Sequence, residues 1–381
     1  MLCTRMAVAA LTLDGLAAVA HADQTNAPEA PKTVLTIAEV ATGLENPWGL
    51  QFLPDGRLLV TERPGRLRIV EKDGRLSEPV EGVPEVVHWG QAGLLDVLLS
   101  TDFASSGLIY FSYSDPRGFL KNATTVARAK LTLSSTGGKL SDVTPVFRQE
   151  PAIRSFYHFG SRLVWANDGT LLITTGERAS ERDSAQDLGT GLGKVIRLNA
   201  DGSVPKDNPF VGRDGALPEI WSYGHRNIQG AAINPATGEL WATEHGAMGG
   251  DELNIQRAGK NYGWPVITWG IDYNGSPIGE GTTKAGMEQP VYYWKPSIGT
   301  SGLAFYTGEL FKDWKGNALA GGLSGGRLER LVLDGDKVVA VEHLLADRGD
   351  RVRDVRVGPD GAVYVLTDAA DGKVLRLEPG H

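Results

Sequence analysis

Residues 47–74 read PWGLQFLPDGRLLVTERPGRLRIVEKDG. An apolar run with period-two alternation meets a Pro-Asp-Gly turn, a second apolar run follows, and a polar tip leads into a third. Turns of this kind between alternating runs are hairpin signals, so the stretch predicts antiparallel strands in a meander. The same order returns in GSRLVWANDGTLLITTGER (160–178), with GKVIRLNADG (193–202) as its later strand. It returns again in NIQGAAINPATGELWATEHG (227–246) and in RVRDVRVGPDGAVYVLTDAADGKVLRLEPG (351–380), with looser copies at 93–114 and 300–323. None of the copies sustains a 3.6-residue apolar period. A four-stranded meander cannot bury both its faces alone, whereas six packed around an axis bury them on one another. The predicted fold is all-β: a six-bladed β-propeller of four-stranded antiparallel blades, at roughly 45–70 residues per unit. Two separate sandwiches fit less well, because the copies run evenly from end to end. The run KTVLTIAEVATGL (32–44) precedes the first copy and is expected to lend a strand to the last blade, which closes the ring and removes a free edge.

Composition narrows the partners. The 381 residues include 49 glycines, which suits many tight turns, and are 41% hydrophobic and 22% charged, as in a globular protein. A formal net charge of -8 argues against nucleic acid and against docking to anionic lipid. Residues 1–22 are expected to be a signal peptide: Arg5 opens a short basic region, an apolar run interrupted by Asp14 follows, and Ala20-His21-Ala22 forms a cleavage site. This implies a periplasmic or secreted protein. Cys3, the only cysteine, lies in that segment, so the mature chain would have no thiol and no disulfide. Residues 23–33 are expected as a flexible lead-in and 34–381 as the propeller domain, with no membrane span.

In a propeller, equivalent positions of different blades converge on one end of the axis. Polar groups follow the second strand of a unit at Glu62-Arg63, Glu177-Arg178, Glu244-His245 and Thr367-Asp368, while His158, the Gly224-Asn227 stretch GHRN, Arg351 and Arg353 precede a first strand. His158 at a loop-to-strand junction can act as a base near neutral pH, and Glu177, at the next corner of the same unit, can fix its tautomer. Alternatively His158 is simply structural. Arg226, Arg351 and Arg353 would focus positive potential in an acidic protein and suit a multiply charged acid, or would otherwise form a solvated rim. The glycine-rich TEHGAMGGDELN (243–254), with Asp251 and Glu252, is an oxygen-rich stretch of the kind a hard cation such as calcium uses, although its spacing is not that of an EF-hand. GTGLGKV (189–195) imitates a phosphate loop but lacks its spacing and a following helix, and no dinucleotide fingerprint is present.

YHFGSRL, LLITTGE, SYGHRNIQG (222–230), TEHGAMGGDELN, NYGWP (261–265) and RVRDVRVGPDGAVYVLTD together resemble the soluble quinoprotein sugar dehydrogenases, nearest to the aldose sugar dehydrogenase branch, through nearly the whole mature chain. The resemblance implies a propeller that binds pyrroloquinoline quinone (PQQ) and calcium, oxidises aldoses at the anomeric carbon and passes electrons to an external acceptor, a quinone or a cytochrome. It implies His158 as general base, Glu177 as its orienting carboxylate and Arg226 near the reacting carbonyl. Gln91 would touch sugar hydroxyls, Arg226 and Asn227 the cofactor, and Arg351 and Arg353 its carboxylates. The main-chain carbonyls of Gly246 and Ala247 would hold the calcium. Glu252 and Tyr262, with Asp272 or Glu288, would form a second, structural calcium site. One departure stands out: where some relatives present a lysine from the fifth blade, GGLSGGRLERL (321–331) offers Arg327 as the nearest cation. Competing readings are a calcium-dependent sugar lactonase, which would aim carboxylates and an asparagine at a central metal, and a non-catalytic binding propeller, whose polar groups would be scattered round the rim.

Overall fold

A computed structural model describes residues 27–380. The expectations placed on residues 1–22, Cys3 among them, and on 23–26 lie outside the described residues. The remaining chain forms six antiparallel sheets. Their first strands are Pro47–Phe52, Leu94–Leu99, Gly160–Trp165, Ile228–Ile233, Thr300–Phe305 and Val352–Val357. Each of these six lies against the next, and the last against the first, so they ring an axis. The six-bladed propeller predicted from the repeats is the fold, with each sequence copy forming one blade.

Packing explains why the blades need one another. Six apolar clusters each fill the space between two consecutive blades. Between the first and second, for example, Leu59, Leu67 and Ile69 meet Val97, Phe111 and Ala127. Ring closure also follows the expectation: Leu35–Leu44 pairs antiparallel with Gly372–Pro379 as the outer strand of the sixth blade.

Two details differ from expectation. The first blade has three regular strands, Pro47–Phe52, Leu58–Glu62 and Arg66–Val70, not four. Its outer edge is followed only loosely, by the Ser77 N–H to the Ile69 carbonyl (2.8 Å) and the Val80 N–H to the Leu67 carbonyl (2.8 Å). Pro79 and Pro84 lie along this edge and cannot donate to a ladder. The expected lead-in, for its part, is docked where it is described: the Pro28 carbonyl and the Ala30 N–H pair with the two sides of Val341 on the fifth blade, and Thr33 bonds to Glu342. Among the described residues no helix is long and apolar enough to cross a membrane.

The first strand of every blade breaks register near its start, between Pro47 and Leu50, Leu94 and Val97, Ile228 and Gly230, Thr300 and Leu303, and Val352 and Asp354, and opposite Ile173/Thr175 in the third blade. Bulges of this kind re-aim side chains and cluster at the rims of closed β structures. Asp96, Arg162, Gln229 and Arg353 lie at these breaks and are all buried, and Gln229 and Arg353 line a polar cavity at one end of the axis.

Candidate active site

At that end two neighbouring cavities, of about 340 and 420 Å³, share Gln91, Ala247 and Tyr273. The larger contains the expected base. His158 sits in the left-handed region, at φ 51°, and its Nδ1 is 2.9 Å from Glu177 Oε1, while the other carboxylate oxygen accepts the Ala179 N–H. The His158 N–H donates to Gln91 Oε1 at 2.8 Å, and the Gln91 N–H to the Phe156 carbonyl. With Nδ1 engaged by a carboxylate, the ring carries its proton there and leaves Nε2 as the basic nitrogen. Burial, then the charge of Arg226, hold the imidazole below its ordinary value, and Glu177 opposes both. A lowered imidazole with Nε2 free is the form suited to accept a proton.

Arg226 lines the larger cavity. Its guanidinium donates to the His245 carbonyl (3.3 Å) and to the Tyr273 hydroxyl (3.4 Å) and lies 5.3 Å from the Trp264 ring centre. Asn227 is fully buried; its Oδ1 accepts the Gly160 N–H at 3.0 Å while its Nδ2 has no partner. His225, the most conspicuous member of GHRN, is structural. It is fully buried, with Nδ1 2.9 Å from Glu244 and Nε2 3.0 Å from Ser222 Oγ, and it stacks on Tyr262.

The smaller cavity is the cationic one. Arg351, just before the strand Val352–Val357, and Arg353, within it, both reach Asp368 Oδ2, at 3.3 and 2.7 Å, and Arg353 also donates to Gln229 Oε1 at 2.7 Å. Arg63, which sequence reasoning left without a role, joins them in the lining. Burial alone would raise the Asp368 carboxyl, but Arg353, Arg63 and Arg351 hold it well below the usual carboxylate range. Three guanidiniums thus line the cavity against two carboxylates, Asp368 and Asp251, a surplus of positive charge that suits an anionic ligand. Polar atoms left over in the same wall, Arg353 Nε, Arg63 Nε and His245 Nε2, are buried and without partners. Unpaired groups of this kind are costly unless a ligand completes them, and together they fit a planar, multiply charged cofactor. Trp48 adds an aromatic face.

Gly246 and Ala247 line this cavity too, and Gly246 is hemmed in: a Cβ there would come within 2.4 Å of the Gly249 and Gly250 carbonyls. Asp251 does not offer its carboxylate to a cation. Oδ1 accepts the Gly246 N–H at 2.8 Å, and Oδ2 accepts those of Ile298, Gly299 and Thr300, which ties the loop to the fifth blade. The residues expected at a second cation site have protein partners of their own. Tyr262 donates its hydroxyl to the Ile255 carbonyl, Asp272 faces Arg182 (3.3 Å) on the rim of the larger cavity, and Glu288 pairs with Lys260 (3.0 Å). The Glu252 carboxyl is raised, to about 8, by burial and by neighbouring Glu244, a setting that would favour a cation beside it. Among the described residues no group of three His, Cys, Asp or Glu stands ready to hold a metal. Arg327 is turned away from the cavity toward Glu329 (2.7 Å), and the fifth blade contributes Leu323 and Ser324 in its place.

Three further lining groups lie at polar corners that the sequence placed at this end without a role. Arg63, His245 and Asp368 each occupy the second position of the polar corner after a blade's second strand, the corner that also gives Glu177-Arg178.

Comparison with known proteins agrees with this geometry. A family model described as Glucose / Sorbosone dehydrogenase matches residues 44–376. Aldose sugar dehydrogenase YliI of Escherichia coli is 47% identical over 353 residues, covering 92% of this chain and 94% of that protein. A crystal structure of a glucose dehydrogenase superposes with a TM-score of 0.87 at 49% identity, over 91% of this chain and 99% of that one. The PQQ-bound form of an aldose sugar dehydrogenase from Streptomyces coelicolor superposes with a TM-score of 0.75 at 31% identity, over 92% and 99%.

Proposed function

The chain belongs to the glucose and sorbosone dehydrogenase family, and on that premise we propose that it oxidises aldose sugars at the anomeric carbon to lactones, with PQQ and calcium bound at the cationic end of the axis. The observation that carries this reading is the carboxylate-held His158 opening beside a cavity lined by three arginines against two carboxylates, Asp368 and the backbone-bound Asp251. When bound, the quinone supplies a two-electron acceptor for the anomeric hydride and the calcium a Lewis acid. Arg351, Arg353 and Arg63 would hold its carboxylates, Arg226 and the unpartnered Asn227 Nδ2 its polar edge, and the carbonyls of Gly246 and Ala247 the cation. Glu252, Tyr262 and Asp272 remain the proposed ligands of a second, structural cation.

His158 Nε2 takes the proton of the anomeric hydroxyl. Glu177 keeps the other ring nitrogen protonated and stabilises the imidazolium that results. Gln91 fixes the His158 backbone through its Oε1 and leaves its amide nitrogen for the sugar. Arg226, desolvated against Trp264, places a positive charge where negative charge develops. The proposal includes export through residues 1–22 and electron delivery to an external quinone or cytochrome. A lactonase would instead gather side-chain carboxylates at the axis.

Reconstitution tests the reading. Purified protein given PQQ and calcium should reduce an artificial dye with one or more of a panel of aldoses. Absence of reduction with every sugar, together with no quinone absorbance retained after desalting, overturns it.

A further inference from the structure

The phosphate-loop lookalike GTGLGKV (189–195) has the inverse geometry of an anion cradle. Lys194, at the start of Lys194–Leu198, is fully buried, and its Nζ donates to the carbonyls of Ser184 (2.9 Å), Ala185 (3.1 Å) and Leu192 (2.5 Å). Three inward-facing carbonyls form the kind of shell that loops offer to a metal ion. The glycines serve this wrapping: a Cβ at Gly193, where φ is 65°, would lie 2.3 Å from the His225 carbonyl and 2.9 Å from Ala185 Cβ. Burial pulls the ammonium down to about 7, and the charge of Asp187 opposes it. A neutral amine has two N–H donors and a lone pair, which would have to face one of the three oxygens, so the cage specifies the ammonium form.

What the cage holds is the wall of the larger cavity. The loop from Gly176 to Gly193 begins at the carboxylate that orients His158 and carries Ala179 and Arg182 into the lining. Arg182 reaches across to Asp272, and the Ala185 carbonyl accepts the Gly224 N–H at 2.9 Å. Ala185 packs in a small cluster with Ala247, Trp264 and Ile278. The Ser184 carbonyl also accepts the Asp187 N–H (3.1 Å) and the Thr190 hydroxyl (3.3 Å), and the Ala185 carbonyl the Gly224 N–H, but the Lys194 ammonium is what joins these two carbonyls to that of Leu192.

We propose that Lys194 is a built-in cation: its ammonium takes the place of a bound metal ion in a carbonyl cage and thereby positions the loop 176–193 that walls the substrate cavity. Lys194 is a positioning residue, since it acts on the site through Arg182 and Ala179. The wall's part in sugar binding rests on the dehydrogenase reading; the cage itself does not.

Lys194→Ala removes the three methylenes and nitrogen that n-propylammonium would restore. In the full-length protein, hydrogen exchange of amides 182–193 should quicken about tenfold or more in the variant, with the first, fifth and sixth blades unchanged. Added n-propylammonium should restore protection, and tetramethylammonium, which has no N–H donor, should not. With sugar turnover as readout, KM should rise while kcat falls much less, because His158 keeps its own partners, and n-propylammonium should reverse the rise. Exchange equal to the parent's, or exchange indifferent to n-propylammonium, overturns the proposal. Should the variant not fold, the parent protein decides: an ammonium bound by three carbonyls gives one slowly exchanging lysine resonance in a nitrogen-15 spectrum, and its absence overturns the cage. Loosened, rescuable exchange in a protein whose parent oxidises no aldose would uphold the cage and reject the dehydrogenase reading.

Discussion

Two histidine–glutamate pairs, His158–Glu177 and His225–Glu244, share the same sequence separation of 19 and the same 2.9 Å contact one blade apart. The second spends its other ring nitrogen on Ser222 and serves the fold, while the first faces a cavity with Nε2. Sequence reasoning paired His158 with Glu177 and did not pair His225 with Glu244. It could not say which was open, because that depends on Ser222 lying beneath one ring and on the positive φ of His158 turning the other outward. The electrostatics give a testable sign. Since burial and Arg226 lower the imidazole and Glu177 raises it, the acidic limb of kcat/KM should lie below the ordinary imidazole value. Glu177→Gln removes the raising partner, so that limb should move to still lower pH while the plateau rate falls about 10–100-fold as the ring loses its fixed tautomer. His158→Ala should cost about 10²–10⁴-fold in turnover with quinone retention on desalting unchanged. A pH profile unmoved by Glu177→Gln would show that the carboxylate does not act through the histidine.

The elements were the most legible part of this chain. Period-two runs and Asp-Gly turns located all six blades and the closing strand, because each blade repeats one burial pattern and the pattern is local. Bulges were not legible: a one-residue register break leaves no mark in hydrophobic alternation beyond a small residue such as Gly49, Gly230 or Gly302 in an otherwise apolar strand. Those glycines have a packing reason. A Cβ on Gly230 would meet the Ser301 carbonyl at 2.1 Å and Thr243 Oγ1 at 2.2 Å, where the fourth blade closes on the fifth. Its neighbour Gln229 gives its carbonyl to Arg162 and its amide oxygen to Arg353. Gly230→Ala should therefore lower stability by about 1–3 kcal/mol through overpacking. It should also loosen Arg353, which is proposed to hold the cofactor. A lowered denaturation midpoint together with weaker PQQ retention would meet this expectation; an unchanged midpoint would mean that the two strands have room to part.

At the scale of the whole molecule the blades are joined by charge as well as by apolar contact. Along the axis Arg162 pairs with Asp96 (3.0 Å) and Asp354 (3.2 Å), and Arg356 with Asp354 (3.0 Å) and Asp96 (3.5 Å), with both aspartates and Arg162 almost wholly buried. These four come from the second, third and sixth blades. The first blade adds the Leu50 N–H to Asp354, the fourth adds the Gln229 carbonyl to Arg162, and the fifth adds the room that Gly302 leaves beside Asp354. Every blade thus touches one network, which no reading of single copies reveals, since each copy contributes at most two of its members. A buried ion network of this kind adds little net stability over an apolar core, yet removing one member strands the others. Asp354→Asn leaves two guanidiniums facing a single carboxylate and should lower unfolding free energy by about 3–5 kcal/mol. Because all six blades share the network, the loss should appear as one displaced transition, coincident by tryptophan fluorescence and by far-ultraviolet circular dichroism. Two separated transitions would mean that the sixth blade melts alone and that the axis does not couple the ring; an unshifted midpoint would mean that the asparagine amide or water replaces the lost charge.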